Sequence, residues 1–137
     1  MSRREEAIEE YVRVAEFRSG LRRFLRRTER VARESGLTPQ RYLLLLMIQG
    51  APDGSRRSTV TELAERLQLA QSTVTELVTR AEEIGLVARS ASADDGRVVN
   101  LHLTPEGERR LAAAFTGLEA ERQALVASLV SVGPSAR

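Results

Sequence analysis

The stretch that decides the fold runs from Thr59 to Thr104: TVTELAERLQLAQSTVTELVTRAEEIGLVARSASADDGRVVNLHLT. Thr59-Val60-Thr61-Glu62 has the form of a capping box: the threonine hydroxyl accepts from the amide three residues on, and the glutamate accepts from the cap's own amide. Behind it, Val60, Leu63, Ala64 and Leu67 recur at helical spacing. A break near Gln68-Leu69-Ala70 separates this short helix from a second, with Val74, Leu77, Val78, Ala81 and Ile84 on one face. Gly85 ends the second helix where a left-handed residue is wanted. Leu86 to Arg89, a polar tip from Ser90 to Gly96, and Arg97 to Leu103 then form a β-hairpin pattern around the turn pair Asp95-Gly96. This order of elements predicts a winged helix-turn-helix, whose second helix lies in the major groove while the hairpin reaches along the backbone.

Outward from this stretch the chain reads as helix. Upstream, Thr38 caps and Pro39 opens a helix that is apolar nearly all round, with Tyr42, Leu43, Leu45, Leu46 and Met47, so it should be central. It ends at Gly50, before the turn Ala51-Pro52-Asp53-Gly54. The first 34 residues read as one long helix or as two collinear ones, with Ser19-Gly20 as the candidate kink and Gly36 as the stop. This helix carries more apolar surface than its place in the chain needs, which points to a partner helix. Downstream, Thr104-Pro105-Glu106-Gly107 caps one final helix, apolar at Leu111, Phe115, Leu118, Leu125, Val126 and Leu129. Residues 134–137 read as a frayed end. The fold class is therefore mainly α, with a small β-hairpin wing.

Composition narrows the function by exclusion. With 137 residues there is room for one domain. There is no cysteine and a single histidine, His102, so no disulfide scaffold, metal site or other cofactor is expected. No apolar run reaches the roughly 18 residues of a membrane span, and no secretory leader opens the chain; a soluble, cytoplasmic protein is expected. No carboxylates, hydroxyls and imidazole stand at catalytic spacing, so no enzymatic activity is expected. All 21 basic residues are arginine, yet the formal net charge is only +2. Arginine suits phosphates and base edges, but a GC-rich genome produces the same usage, so composition alone does not identify a nucleic-acid binder.

If Val74, Leu77, Val78 and Ala81 of the second helix point inward, then Gln71, Ser72, Thr73, Thr75, Glu76, Thr79 and Arg80 point outward. Hydroxyls and an amide near a helix start can contact phosphates or base edges, although any exposed helix has such a face. The joint pattern is more specific. Glu62-Leu63-Ala64 with Leu67, Ser72-Thr73-Val74-Thr75 with Leu77-Val78 and Arg80, Gly85-Leu86-Val87, Asp95-x-Arg97, and Leu103-Thr104-Pro105-x-Gly107 follow one another at set distances. Together with Leu37-Thr38-Pro39-Gln40, they resemble the MarR family of bacterial regulators over nearly the whole chain.

The resemblance implies a transcriptional regulator, most often a repressor, that binds a pseudo-palindromic operator in double-stranded DNA as a homodimer. It implies a single domain over 1–137, with dimerisation helices at 1–36 and 105–137 around a winged DNA-binding region at 37–104. Arg97 is expected in the minor groove, with Asp95 orienting it; the alternative for that pair is an ion pair that merely stabilises the turn. The winged segment is not basic: Arg66, Arg80, Arg89 and Arg97 are outnumbered by acidic residues, and Glu76 stands where many relatives carry a base. Arg56 and Arg57, together with the arginines of the N-terminal helix, are expected to supply compensating potential. Little helix follows Leu129, so dimerisation is expected to rest on the first helix. The family also implies a cleft for a small aromatic or lipophilic effector, with Tyr11, Phe17, Phe24, Tyr42, Met47, His102 and Phe115 as candidates to line it or, singly, to fill the core. The competing reading is a winged-helix protein-interaction adaptor that has lost operator binding.

Overall fold

The computed structural model describes residues 2–92 and 94–132; residues 134–137, read above as a frayed end, lie outside them. The elements follow in the order α1 (Arg3–Glu34), α2 (Pro39–Gln49), α3 (Val60–Leu67), α4 (Gln71–Glu83), β1 (Val87–Ala91), β2 (Val99–Leu103), α5 (Pro105–Gly117) and α6 (Glu119–Val132). The sequence-level start signals act where they were read. Thr38 accepts from the Arg41 amide at 3.1 Å. Thr59 and Glu62 exchange both bonds of the capping box, at 3.2 and 3.0 Å. Thr104 accepts from the Gly107 amide at 3.1 Å. The stops act too, since Gly36 and Gly85 take φ of 77° and 78°, a region that costs other residues strain.

The core forms around α2, which α1, α3, α4, α5 and β2 all pack against. Leu44, Leu45 and Ile48 of α2 are fully buried with Leu63, Val74, Val78, Leu86 and Leu101. Burying a side chain of this kind is worth about 1.5–3 kcal/mol, so α2 is the hub that fixes how α3 and α4 sit. Arg66 tightens the hub by donating to the carbonyls of Met47 at 2.6 Å and Gly50 at 3.1 Å, which satisfies carbonyls at the end of α2. β1 and β2 pair antiparallel, from Val87 opposite Leu103 to Ala91 opposite Val99. Ser58, buried, exchanges 3.1 and 2.8 Å backbone bonds with Leu101. The chain just before α3 is thereby bound to the hairpin.

Three expectations are corrected, and one pair of alternatives is decided. The final helix is two: α5 ends at Gly117, Leu118 caps it, and α6 starts at Glu119. The Arg122 guanidinium, stacked 3.5 Å over the Phe115 ring, donates to the Phe115 carbonyl, so α5 is terminated by a side chain from the next helix. Gly117 packs tightly on α1, a Cβ there coming within 2.9 Å of a Val31 methyl. Second, of the two arrangements read for the first 34 residues, one long helix holds: α1 is continuous through Ser19-Gly20. Third, Leu43 is exposed on the side of α2 away from the core. Fourth, Ile84 is exposed because it is the C-cap of α4, past the last helical residue.

Candidate nucleic-acid interface

The outer face of α4 is bare. Gln71, Ser72, Thr73, Thr75, Glu76 and Arg80 are exposed and Thr79 is half-buried, while Val74, Val78 and Ala81 anchor the opposite side. The N-cap, Ala70, makes no side-chain bond, so the first-turn amides are not taken by a cap and the positive end of the helix faces outward. Gln68, which closes α3, adopts the left-handed conformation at φ 57° and sets the tight turn into α4. At the start of α4, Gln71 Nε2 donates to Thr61 Oγ1 at 3.3 Å. Thr59, Val60 and Thr61 share a groove with Arg97, Val98 and Val99 of the hairpin. The start of α4 and the wing thus meet across the first turn of α3.

The wing carries its arginine outward. Asp95 Oδ1 accepts from the Arg97 backbone amide at 3.0 Å, whereas the guanidinium Nε is 3.9 Å away. The Arg97 side chain is 96% exposed. The carboxylate therefore shapes the turn through the main chain and leaves the guanidinium free for an external acceptor. A contact at that distance and exposure contributes little to stability.

Charge on this surface is sparse for identifiable reasons. Arg66 is committed to the carbonyls at the end of α2, and Arg89 pairs with Glu82 at 3.1 Å. Glu76 is the i,i+4 partner of Arg80 at 2.8 Å, with both side chains more than 60% exposed. Such a pair is worth only about 0.3–0.5 kcal/mol, so a phosphate can displace it. Arg56 and Arg57 do not join the α4 face. They share a groove with Ser90, Ala91 and His102 on the hairpin, and Arg56 has a positive φ of 60°. Sequence reasoning missed Arg41, in the first turn of α2. It lines one groove with Ser72, Thr75 and Arg80 and another with Thr73 and Glu76. No local pattern signals this, because the proximity arises from how α4 crosses α2.

The seven candidate effector residues are dispersed. Tyr42 is buried in the core, where loss of hydration pushes its phenol above the ordinary value. Met47 packs on the same core. Tyr11 is 72% exposed near the start of α1 and Phe115 is exposed on α5. Phe17 is half-buried on α1, and His102 faces the Arg56–Arg57 groove. Phe24 alone of the seven lines the cleft between α1 and α6, of about 420 Å³.

Comparison with known proteins follows the same lines. Residues 35–98 match the model of the MarR family. HTH-type transcriptional repressor MdtR of Bacillus subtilis is 33% identical over 98 residues, covering 72% of this chain and 58% of that protein. Over residues 35–98 the chain resembles the MarR family. Among solved structures, a MarR family protein from Bacillus stearothermophilus shares 28% identity at a TM-score of 0.67, over 97% of this chain and 85% of that one. The M. tuberculosis transcriptional regulator MOSR, solved in complex with DNA, shares 29% identity at a TM-score of 0.60, over 81% of this chain and 77% of that one. The matches to curated MarR-type relatives span 58%, 56% and 44% of those proteins' own lengths. No helix among the described residues is long and apolar enough to cross a membrane.

Proposed function

We propose that this chain is a sequence-specific DNA-binding transcriptional regulator of the repressor type, acting as a homodimer on a pseudo-palindromic operator. The observation that carries the reading is the pairing of an uncovered polar face on α4 with an almost fully exposed Arg97 on the adjoining wing. In this reading α4 lies in the major groove, with Gln71, Ser72, Thr73 and Thr75 at base edges and phosphates. Arg97 enters the minor groove, where a guanidinium reads width and potential. Arg41 and Arg80 hold the backbone, with Thr79 and Glu76 at the far edge, and Arg56 and Arg57 extend the positive potential along the hairpin.

Two uses of one assay test this. The purified protein should retain DNA from its own upstream region in a gel shift, and Arg97→Ala should lose that retention. Because few arginines stand on the α4 face and the wing, the log–log slope of affinity against salt should be about −4, against about −10 for a strongly basic repressor. Absence of retention even at low salt would overturn the reading in favour of a protein-interaction scaffold, and a steep slope would overturn the sparse-contact geometry.

A further inference from the structure

The second half of α1 carries most of its arginines on one side. Between Arg18 and Arg33 there are seven arginines and one glutamate. Thr28, Val31 and Ala32 are buried and mark the side that faces the core. At about 100° per residue, Arg22, Arg23, Arg26, Arg30 and Arg33 fall on the opposite side, and all five are exposed. Glu29 and Glu34 stand at the two edges of this face and not within it. None of the five arginines pairs with a carboxylate among the described residues. Arg23 donates to Ser19 Oγ at 2.9 Å, and the α1 arginine that does meet a carboxylate, Arg27, lies toward α6.

Five unpaired charges thus stand within about 17 Å of helix, in a chain whose formal net charge is +2. A GC-rich genome explains arginine in place of lysine; it does not explain arginines gathered without partners on one outward face. The chemistry of the face narrows what it fits. Ala15 and Ser19 continue it toward the N-terminus, so it offers no large apolar side chain to a lipid layer, which a membrane-surface helix needs. A two-fold axis through the face would set arginine against arginine, which disfavours a second copy there. Guanidinium forks match phosphate oxygens. A duplex carries one negative charge per about 1.7 Å of axis, or about ten over the length of this face.

We infer that the arginine face of α1 is a second, sequence-independent site for the phosphate backbone of duplex DNA. α1 and α4 both pack on α2 and share no extended contact with each other, so this face is distinct from the polar face of α4. In the operator reading above, α4 and the wing select a sequence; α1 holds backbone and reads no base. One chain then has two places for duplex, and a further stretch of DNA is held at α1 while the operator is read. Because the α1 site acts by displacing counterions, its affinity falls as salt rises. The site does not depend on the operator reading, and the two can fail separately.

Charge removal on the full chain tests it. Arg22→Gln, Arg26→Gln and Arg30→Gln together remove three of the unpaired charges, and glutamine keeps the helix propensity of arginine. Fluorescence anisotropy with a labelled duplex of unrelated sequence, between about 50 and 200 mM salt, should show this variant binding about tenfold or more weakly than the parent chain at the lower salt, with a log–log slope shallower by about 2–3. Arg22→Lys, Arg26→Lys and Arg30→Lys, which keep the charge, should bind as the parent chain does, which separates charge from folding. Arg97→Ala should keep most of its affinity for the unrelated duplex, whereas the glutamine variant should still be retained by the upstream region in the gel shift. Equal binding by the parent chain and the glutamine variant, or a lysine variant as weak as the glutamine one, overturns the α1 site and leaves the operator reading standing. So does binding to the unrelated duplex that is lost through Arg97→Ala alone. Sedimentation of the parent chain with phosphatidylserine vesicles, lost in the glutamine variant while duplex binding is unchanged, overturns it in favour of lipid headgroups. Failure to retain the upstream region, with the charge dependence on unrelated DNA intact, overturns the operator reading and leaves the α1 site standing.

Discussion

At Gly107 the start of α5 lies against Leu86 and Leu103 at the base of the hairpin, and replacing this glycine with alanine tests the architecture. A Cβ at Gly107 would lie 2.2 Å from the Leu86 carbonyl oxygen, roughly 1 Å inside an ordinary contact. The carbonyl cannot retreat freely. Leu86 is fully buried, and its oxygen accepts from the Thr104 amide at 3.0 Å. Next to it, Thr104 Oγ1 donates to the Gly85 carbonyl at 2.6 Å. Overpacking of this kind costs about 1–3 kcal/mol, and losing the Leu86–Thr104 bond adds about 1 kcal/mol. The better helix propensity of alanine returns up to about 1 kcal/mol. The net loss is about 2 kcal/mol, or a fall of roughly 6 °C in Tm for a chain of this size. Thermal unfolding followed at 222 nm, with parent and variant at one protein concentration, measures it. Gly117→Ala is the comparison: its Cβ would meet a Val31 methyl at 2.9 Å, a side chain that can shift, so the loss should stay below about 1 kcal/mol. An unchanged or raised Tm for Gly107→Ala, or a larger loss at Gly117, would refute the claim that wing and α5 are held at this separation by a missing side chain.

Two further predictions concern single residues. Gly20 lies in the interior of α1, where a Cβ would meet only the end of Arg23 at 3.7 Å, so Gly20→Ala should stabilise the chain by about 0.5–1 kcal/mol and raise Tm in the same assay. Glu106 accepts from Arg109 and Arg110, which hold its carboxyl below the ordinary glutamate value. The native state therefore binds its proton less readily than the unfolded chain; this contribution is complete above the unfolded value of about 4.3 and is lost as pH falls through the native one. Glu106→Gln should flatten the fall in urea midpoint between neutral and acid pH, and an unchanged acid limb would count against the paired carboxylate.

The parts of the fold that were legible in the sequence are those written in local chemistry. Thr38, the Thr59–Glu62 box, Thr104, Gly36 and Gly85 mark helix ends through bonds to residues within about three positions, and each could be read directly. What escaped depends on contacts between distant residues. The α5/α6 break is made by Arg122 reaching back to Phe115 and by Gly117 against Val31; the apolar periodicity runs through it almost undisturbed. Gly117 was the available signal. The Ser58 bridge to Leu101 and the Arg66 hold on α2 span 43 and 19 positions and leave no mark in local spacing. At the surface, helical periodicity gave the outward face of α4 correctly but could not place Arg41 beside it or Arg56 and Arg57 away from it. Aromatic residues were the weakest guide: type alone did not distinguish buried Tyr42 from exposed Tyr11.

The unbroken α1 also has a mechanical meaning. Its 32 residues make a rod about 48 Å long, and its second half is seated on the body that carries α4. A tilt of about 6° at the free end therefore displaces the far end by about 5 Å, close to half the 12 Å width of a major groove. A kink at Ser19-Gly20 would have absorbed such a tilt locally. The continuous rod instead works as a lever, so a small tilt imposed on its first half becomes a larger displacement of the body that carries α4.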